Sequence, residues 1–493
     1  MNRPGDPDTS RSARVLIIGS GFAGIGMAIK LRERGITDIV ILERAADLGG
    51  TWRDNRYPGC ACDVESTLYS FSFAPNPDWS RTFSPQPEIQ AYLRRVAAEH
   101  GIVPLVRFDE TVTGARWDDG AAEWQVTSTS GTWRAQSVVM ANGALSDPIV
   151  PPLPGLESFT GPAFHTAQWD ASLSLEGKRV AILGTGASAI QVIPAIQPCV
   201  EKLVVLQRTP PWVLPRFDRA VPAWRRALYA RIPFAQRAVR ALLHVRHELL
   251  FQPFRHASLR RVFERLIGLH LRHQVRDPAL RRALTPSYAL GCKRLLLSDD
   301  YYPALTQPNV EVITSPLRAI GPRTVTTADG RAHEVDVLVL ATGFRVTDPI
   351  LAPLVVGRGG MSLADAWQGS PKAYMGTTVA GFPNLFMLMG PNTGLGHSSV
   401  ILMAEAQFEH VLGVLALAES RGVPALEPRA EAQTRFVEWI DDSLATTVWN
   451  AGGCTSWYLD RTGRNATLWP YGVDRFRRTV ERVVADDYTA VPL

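Results

Sequence analysis

Two stretches of the chain share one order of apolar and polar positions. RVLIIG (residues 14–19) is an unbroken apolar run ending in glycine; Gly19-Ser20-Gly21-Phe22-Ala23-Gly24 then opens into apolar positions at helical spacing, Ile25, Ala28, Ile29 and Leu31. RVAILG (179–184) repeats the order, with Gly184-Thr185-Gly186-Ala187-Ser188-Ala189 leading into IQVIPAI. A continuous apolar run suits a strand covered on both faces in a parallel sheet, and a 3.6-residue period suits a packed helix. Each stretch therefore reads as strand, turn, helix. Glycines in such a turn allow a tight bend, close approach of backbone N–H groups to a pyrophosphate, and close helix–strand packing; the helix N-terminus adds partial positive charge. Each unit is followed by a second apolar strand, DIVILE ending in Glu43 and KLVVLQRTP ending in Gln207-Arg208-Thr209. A carboxylate at that place accepts hydrogen bonds from a ribose diol, whereas an arginine beside a hydroxyl suits a 2′-phosphate. Gly19, Gly21, Gly24 and Glu43 thus form one candidate dinucleotide site. Gly184, Gly186, Ser188, Ala189, Gln191, Arg208 and Thr209 form a second that favours NADPH over NADH, with Ala189 in place of the third glycine.

The rest of the pattern fills in around these units. Residues 86–100 are spaced as an amphipathic helix, and 105–144 alternate as a meander of strands ending in Asn142-Gly143. Pro148, Pro151, Pro152 and Pro154 mark a crossing between domains rather than the interior of an element. Residues 222–285 place Leu and aromatic residues at helical spacing among arginines. Asp329-Gly330 is a hairpin turn between short strands. FMLMGPNTGLGHSS (386–399) is a strand, a glycine-rich loop and the start of a helix, a place where a helix dipole can face a developing negative charge.

Composition narrows the class. With 493 residues, 46% of them hydrophobic, the chain has room for two to three domains with ample core. The first 14 residues are polar and read as a loose tail without a secretory signal. No run of about 18–20 uncharged apolar residues suggests a membrane span, so a cytoplasmic enzyme is expected. Five cysteines, Cys60, Cys62, Cys199, Cys292 and Cys454, are odd in number and lack zinc spacing; they argue against a disulfide framework and a metal and fit a reduced compartment. The net charge of +5 hides an asymmetry. Residues 216–285 carry 16 Arg and no Lys against 4 acids, or +12, which leaves 5 − 12 = −7 for the remainder. With no nucleic-acid module present, that segment reads as a helical subdomain at the substrate entrance or as a weak peripheral contact with an anionic membrane.

Between the two turns lies FTGPAFHTAQWD (159–170). Phe159, Gly161, His165, Trp169 and Asp170 reproduce F-x-G-x-x-x-H-x-x-x-W-[P/D], and on this fingerprint the chain resembles the Baeyer–Villiger monooxygenases, from Val15 to about Pro470 with the motifs in the family's order. Read without the family, the same residues are packing anchors of a linker. The resemblance implies an α/β fold with two Rossmann-like dinucleotide-binding domains, for FAD and NADP, and a helical insertion in the NADP domain. Residues 1–147 would be the first part of the FAD domain, 148–335 the NADP domain with its insertion at about 216–285, and 336–493 the second part of the FAD domain with a C-terminal loop region. Leu48-Gly49-Gly50-Thr51-Trp52 resembles a flavin-binding pattern, so FAD rather than NAD is implied at the first turn, with Gly50, Thr51, Trp52, Tyr69, Thr342 of ATGF (341–344) and Asn392, Thr393 and Gly394 among its contacts.

The activity implied is conversion of a ketone to an ester or lactone with NADPH and O2, through a flavin peroxide. Arg294 would face the flavin and stabilise the anionic oxygen, Asp63 would hold that arginine, and Lys293 would lie near the NADP phosphate. On composition alone Asp63 is a turn or cap residue, and Lys293-Arg294 an exposed basic pair. Trp457, in NAGGCTSWYLDRTGRNATLWP (450–470), is either a wall of the substrate pocket in a mobile loop or a packing residue. Two alternatives stand beside this reading. A flavin N- or S-oxygenase is disfavoured by Trp169-Asp170; a membrane-docked, non-oxygenating NADPH-binding flavoprotein would show no ketone-dependent NADPH consumption.

Overall fold

A computed structural model describes residues 11–491. Most of the polar tail expected at residues 1–14 lies outside them, but Arg11–Arg14 are not tail. They begin the strand Arg11–Ile18, which pairs in parallel with Gly131–Met140 from the Arg11–Trp133 register onward. The Arg11 guanidinium lies over the Trp133 ring, 5.4 Å from its centroid. A cation on an aromatic face next to a carboxylate can prolong a strand that hydropathy alone would start later.

Among the described residues the larger sheet has nine strands. Arg11–Ile18 runs at its centre, flanked by Ile39–Leu42 on one side and Gly131–Met140 on the other, all parallel. The ten-residue strand Gly131–Met140 serves two layers. Its first half closes the antiparallel meander Val112–Asp118, Glu123–Ser128, and its last three residues pair in parallel with Leu385–Met387 of the strand Phe382–Met387. The first unit therefore takes strands from both ends of the chain. The second sheet is wholly parallel, in the order Val310–Ile313, Lys202–Leu206, Arg179–Leu183, Val337–Leu340, Ala163–His165. Val337–Leu340 lies beyond the boundary expected at 335, yet it pairs into this second sheet. The return crossing thus comes after Leu340, at Ala341-Thr342-Gly343.

Every strand that reads as a continuous apolar run is buried on both faces: Val15–Ile17, Ile39–Leu42, Val180–Ile182 and Leu203–Leu206 are each under a tenth exposed. The helix Phe22–Glu33 covers the first sheet, and Ala187–Ile196 the second. Five helices, Ala223–Arg231, Pro233–Leu250, Gln252–Arg255, Ala257–Gln274 and Pro278–Ala283, interrupt the second unit between Val213–Leu214 and Leu296–Leu297, as the Arg-rich pattern predicts. One helix among the described residues, Val400–Arg421, is long and apolar enough to cross a membrane, but 67% of that stretch is buried in the core. It packs on Phe22–Glu33, where Gly26 leaves the space that the Phe408 and Phe71 rings occupy.

Candidate active site

Both glycine turns open into one cavity of about 1490 Å³, larger than the roughly 300–1,000 Å³ of an ordinary single-ligand pocket. Neither helix that starts there has a side-chain N-cap, so the first-turn N–H groups remain available to an anion. At the first turn Gly50 comes against Gly21: a Cβ on Gly50 would lie 3.3 Å from the Gly21 Cα. Two glycine stretches facing each other leave a slot with backbone walls, which fits the pyrophosphate of a dinucleotide. Glu43 sits beside it, buried, and takes hydrogen bonds from the Ser20 N–H at 3.0 Å, the Ser20 hydroxyl at 2.6 Å, the Ala45 N–H at 3.0 Å and Arg53 Nη1 at 2.7 Å. Four donors satisfy a carboxylate's capacity, so a ribose contact requires one of them, such as the Ser20 hydroxyl, to turn away.

The second turn has a different chemistry. Arg208 is exposed at the end of Lys202–Leu206, and Lys293 lies close enough that, after burial, the Arg208 charge is the second cause that lowers the Lys293 ammonium. Lys293 Nζ stands over the Tyr288 ring, 5.1 Å from its centroid. Among the described residues neither cation has a carboxylate within 4.0 Å. Two neighbouring cations without a counter-ion suit a dianionic phosphate. Gln207, one residue earlier, is structural: its Nε2 donates to the Ala283 carbonyl at 2.8 Å and ties the helical insertion to the sheet. Gln191 binds the two units together, its Oε1 accepting from the Tyr57 hydroxyl at 3.0 Å and its Nε2 donating to the Ala61 carbonyl at 2.9 Å.

Between the turns stands an ion pair that joins residues 231 positions apart. Arg294 Nη2 and Nε donate to Asp63 Oδ2 at 2.7 and 3.2 Å, and Nη1 donates to the Leu395 carbonyl at 3.3 Å. About a quarter of each side chain faces the cavity. Burial by itself would raise the Asp63 carboxyl, but the charge and hydrogen bonds of Arg294, with Arg216 behind it, hold it below the usual carboxylate range. The charge of Asp63 in turn raises the guanidinium. The pair is thus ionised throughout neutral pH, with one face of the guanidinium left toward the cavity.

The cavity wall includes Gly19, Gly21, Glu43, Gly50, Thr51, Trp52, Asp63, Tyr69, Gly184, Gly186, Ser188, Gln191, Arg208, Thr209, Lys293, Arg294, Thr342 and Trp457. Eight residues singled out in the sequence are not on it. Gly24 and Ala189 lie one helical turn behind, where they set helix–strand distance. Asn392 is buried, with its amide donating to the Asn465 and Leu468 carbonyls at 2.8 and 3.1 Å and its Oδ1 accepting from Arg464 at 2.9 Å. Its side chain is spent on holding the C-terminal segment, and Thr393 and Gly394 face the cavity instead. The fingerprint residues form the edge of the second sheet. Gly161 enters it where a Cβ would meet the Asp336 carbonyl at 2.2 Å, Phe159 packs in that unit's core, Trp169 sits edge-on to Phe164, and Asp170 caps Ser172. His165 is buried, its Nδ1 accepting from the Ala167 N–H at 3.1 Å and its ring edge-on to Phe344 at 5.4 Å, next to Thr342-Gly343. The fingerprint braces the crossings between the two units.

This arrangement has counterparts in known proteins. Residues 16–213 match the family described as pyridine nucleotide-disulphide oxidoreductase. A Baeyer–Villiger monooxygenase of Streptomyces coelicolor is 50% identical over 96% of this chain and 92% of its own length. One from Pseudomonas aeruginosa is 45% identical over all of this chain and 94% of its own. The chain belongs to the Baeyer–Villiger monooxygenase family. Its fold follows the crystal structure of cyclohexanone monooxygenase from Rhodococcus sp. Phi1 bound to NADP+, with a TM-score of 0.87 at 30% identity over 98% of this chain and 100% of the other.

Within this Baeyer–Villiger monooxygenase, two features were not legible in the sequence. Arg216, read there only as one arginine among 16, donates to the Cys62 carbonyl at 2.8 Å, lies over the Phe83 ring and helps to depress Asp63. No local pattern distinguishes it. The second is a correction: Cys292 and Cys454, expected to be free, form a disulfide with a Cα–Cα distance of 6.1 Å. It fastens the segment carrying Lys293-Arg294 to the loop carrying Trp457, and Gly452 leaves room for it, since a Cβ there would come within 2.6 Å of Cys292 Cβ. A parity count cannot reveal one bridge among five cysteines. Cys60 and Cys62 are buried free thiols, and burial pushes Cys60 up to about 12, so it is not poised as a reactive thiolate.

Proposed function

We propose that this Baeyer–Villiger monooxygenase binds FAD at the first turn and NADPH at the second, and converts a ketone to an ester or lactone at Arg294. FAD reduced by NADPH supplies the activation of O2, and the protein supplies position and charge. Gly19, Gly21 and Gly50 hold the flavin pyrophosphate, with Glu43 and Tyr69 beside the slot. Gly184, Gly186 and Ser188 hold the nicotinamide dinucleotide, whose 2′-phosphate takes Arg208 and Lys293. The free face of the Arg294 guanidinium stabilises negative charge on oxygen as carbon migrates, and Asp63 keeps that face aimed. Trp457 closes the ketone side. The residue roles rest chiefly on one observation: a half-buried Arg294–Asp63 pair at 2.7 Å in a cavity that both glycine turns share. The cyclohexanone of the structural counterpart makes small cyclic ketones the first substrates to try, with linear ketones beside them. A cytoplasmic setting would supply NADPH.

Arg294→Ala tests the reading. The variant should keep its FAD and its reduction by NADPH, while ester formation falls by a factor on the order of 10²–10³ or more. Stopped-flow absorbance follows the reduction and product mass follows the ester. Normal ester yield would remove Arg294 from the catalytic assignment.

A further inference from the structure

The helix Pro233–Leu250 is built inside out. A helix on the surface of a water-soluble protein turns its apolar stripe inward and its polar face to solvent. Here the inward positions other than Leu243, which packs on the core, are polar. Gln236 Nε2 donates to the Asn76 carbonyl at 2.6 Å, Arg240 Nη1 to the Thr67 and Leu68 carbonyls at 2.9 and 3.0 Å, and His247 meets Glu65 at 2.7 Å. Glu248 accepts from the Val473 N–H at 2.9 Å. Positions 236, 240 and 247 fall on one face, with Glu248 to its side, and anchor the helix to the flavin-side body. On the opposite face, at the same helical spacing, stand Phe234, Leu242, Val245 and Leu249, exposed by 75, 69, 53 and 66%. Between them lie Ala238 and Ala241, also exposed. The helix Ala257–Gln274 carries a second outward stripe, Leu259, Val262, Leu266 and Leu269, each exposed by more than 40%. Side chains held this way leave two apolar stripes in water, where a monomeric surface seldom keeps large apolar patches.

We propose that this face of the helical insertion docks on an anionic lipid bilayer. Charge selects that occupant over a second copy. Residues 216–285 are +12 by sequence, and their four acids are already engaged: Asp218 by Arg81, Glu248 by Val473, Glu264 by the Leu290 N–H and Asp277 at its own helix start. Arg237, Arg261, Arg265 and Arg272 are exposed and, among the described residues, have no carboxylate within 4.0 Å. A two-fold contact would bring this same basic patch against itself, so like charges would face each other across the apolar stripes. A bilayer with anionic headgroups instead takes the leucines below its surface and the arginines at it, within a Debye length of about 8 Å. The inference does not depend on the catalytic roles assigned above.

The test is co-sedimentation of the full FAD-loaded enzyme with vesicles of phosphatidylcholine alone and of phosphatidylcholine mixed with phosphatidylglycerol, at low and high salt. Binding is expected on the mixed vesicles at low salt and is expected to weaken with added salt. The combined variant Phe234→Ser, Leu242→Gln, Leu249→Gln should lose on the order of ten-fold or more in partitioning, and Arg237→Gln with Arg261→Gln and Arg265→Gln should lose the preference for anionic lipid. Both should retain FAD absorbance and NADPH oxidation, which separates docking from folding and from catalysis. Absence of binding to the mixed vesicles, or equal binding by the apolar variant, overturns the proposal. So does light scattering that shows a dimer converted to monomer by the apolar variant, since the face would then belong to a second copy.

Discussion

The two glycine turns repeat one backbone and diverge in what surrounds it. Gly19 and Gly184 take φ of +103° and +117°, and the following helices start at Gly21 and Gly186 with φ, ψ of −80°, −166° and −79°, −168°. Even the neighbours correspond: a Cβ on Gly19 would meet the Ala141 carbonyl at 2.8 Å, and one on Gly184 the Ala341 carbonyl at 2.4 Å. The difference begins one turn into the helix. At Gly24 a Cβ would lie 1.9 Å from the Gly19 carbonyl, whereas the second helix already carries the Ala189 methyl, fully buried. The second helix therefore stands off its turn by at least a methyl group. The strand that follows completes the contrast. Glu43 is locked by four donors into the first unit, while Arg208 stands free at the edge of the second. One turn is built into the core, as suits a group held through every cycle; the other is open at its recognition end, as suits a cofactor that comes and goes.

Gly24→Ala should break the comparison most severely. The added methyl meets backbone oxygen, and overpacking of that kind costs roughly 1–3 kcal/mol or more; purified protein should carry little flavin, read as the ratio of flavin to protein absorbance. Retention of full flavin would show that the first helix can move as the second has. Glu43→Gln comes next. Arg53 keeps its pair with Asp54 at 2.7 Å, so the loss is that of a charge-assisted hydrogen bond, roughly 1.5–3 kcal/mol, and should lower the unfolding midpoint with or without NADPH. Arg208→Ala should leave that midpoint unchanged and weaken NADPH by about one to two powers of ten, with NADH unaffected, because only the 2′-phosphate loses a charge-assisted contact of roughly 1.5–3 kcal/mol. An equal loss for both cofactors would make Arg208 structural. The smallest effect belongs to Ala189→Gly, about 1 kcal/mol from helix propensity, with NADPH affinity intact; calorimetry and cofactor titration distinguish the two.

By itself the sequence determined the two strand–turn–helix units, the meander, the hairpin at Asp329-Gly330 and the helical insertion. All of these rest on local periodicity and on glycines whose neighbours are close along the chain, so the information lies within a few residues. An exposed arginine, Arg208, at the end of the second unit's strand was legible for the same reason. Tertiary structure alone decided the rest. Cys292 meets Cys454 across 162 positions, where no spacing rule reaches, and Asp63 meets Arg294 across 231, a pairing that only the family resemblance implied. Asn392 sits in a glycine-rich loop that points to cofactor contact, yet residues 464–468 return to claim its amide. Periodicity likewise marked 233–250 as an amphipathic helix without showing which side faces in. That choice fell to Glu65, Asn76 and the backbone of Thr67-Leu68, whose polar groups bind the helix's polar face and leave Phe234, Leu242, Val245 and Leu249 outside, because a buried polar group without a partner costs more than an apolar side chain left in water.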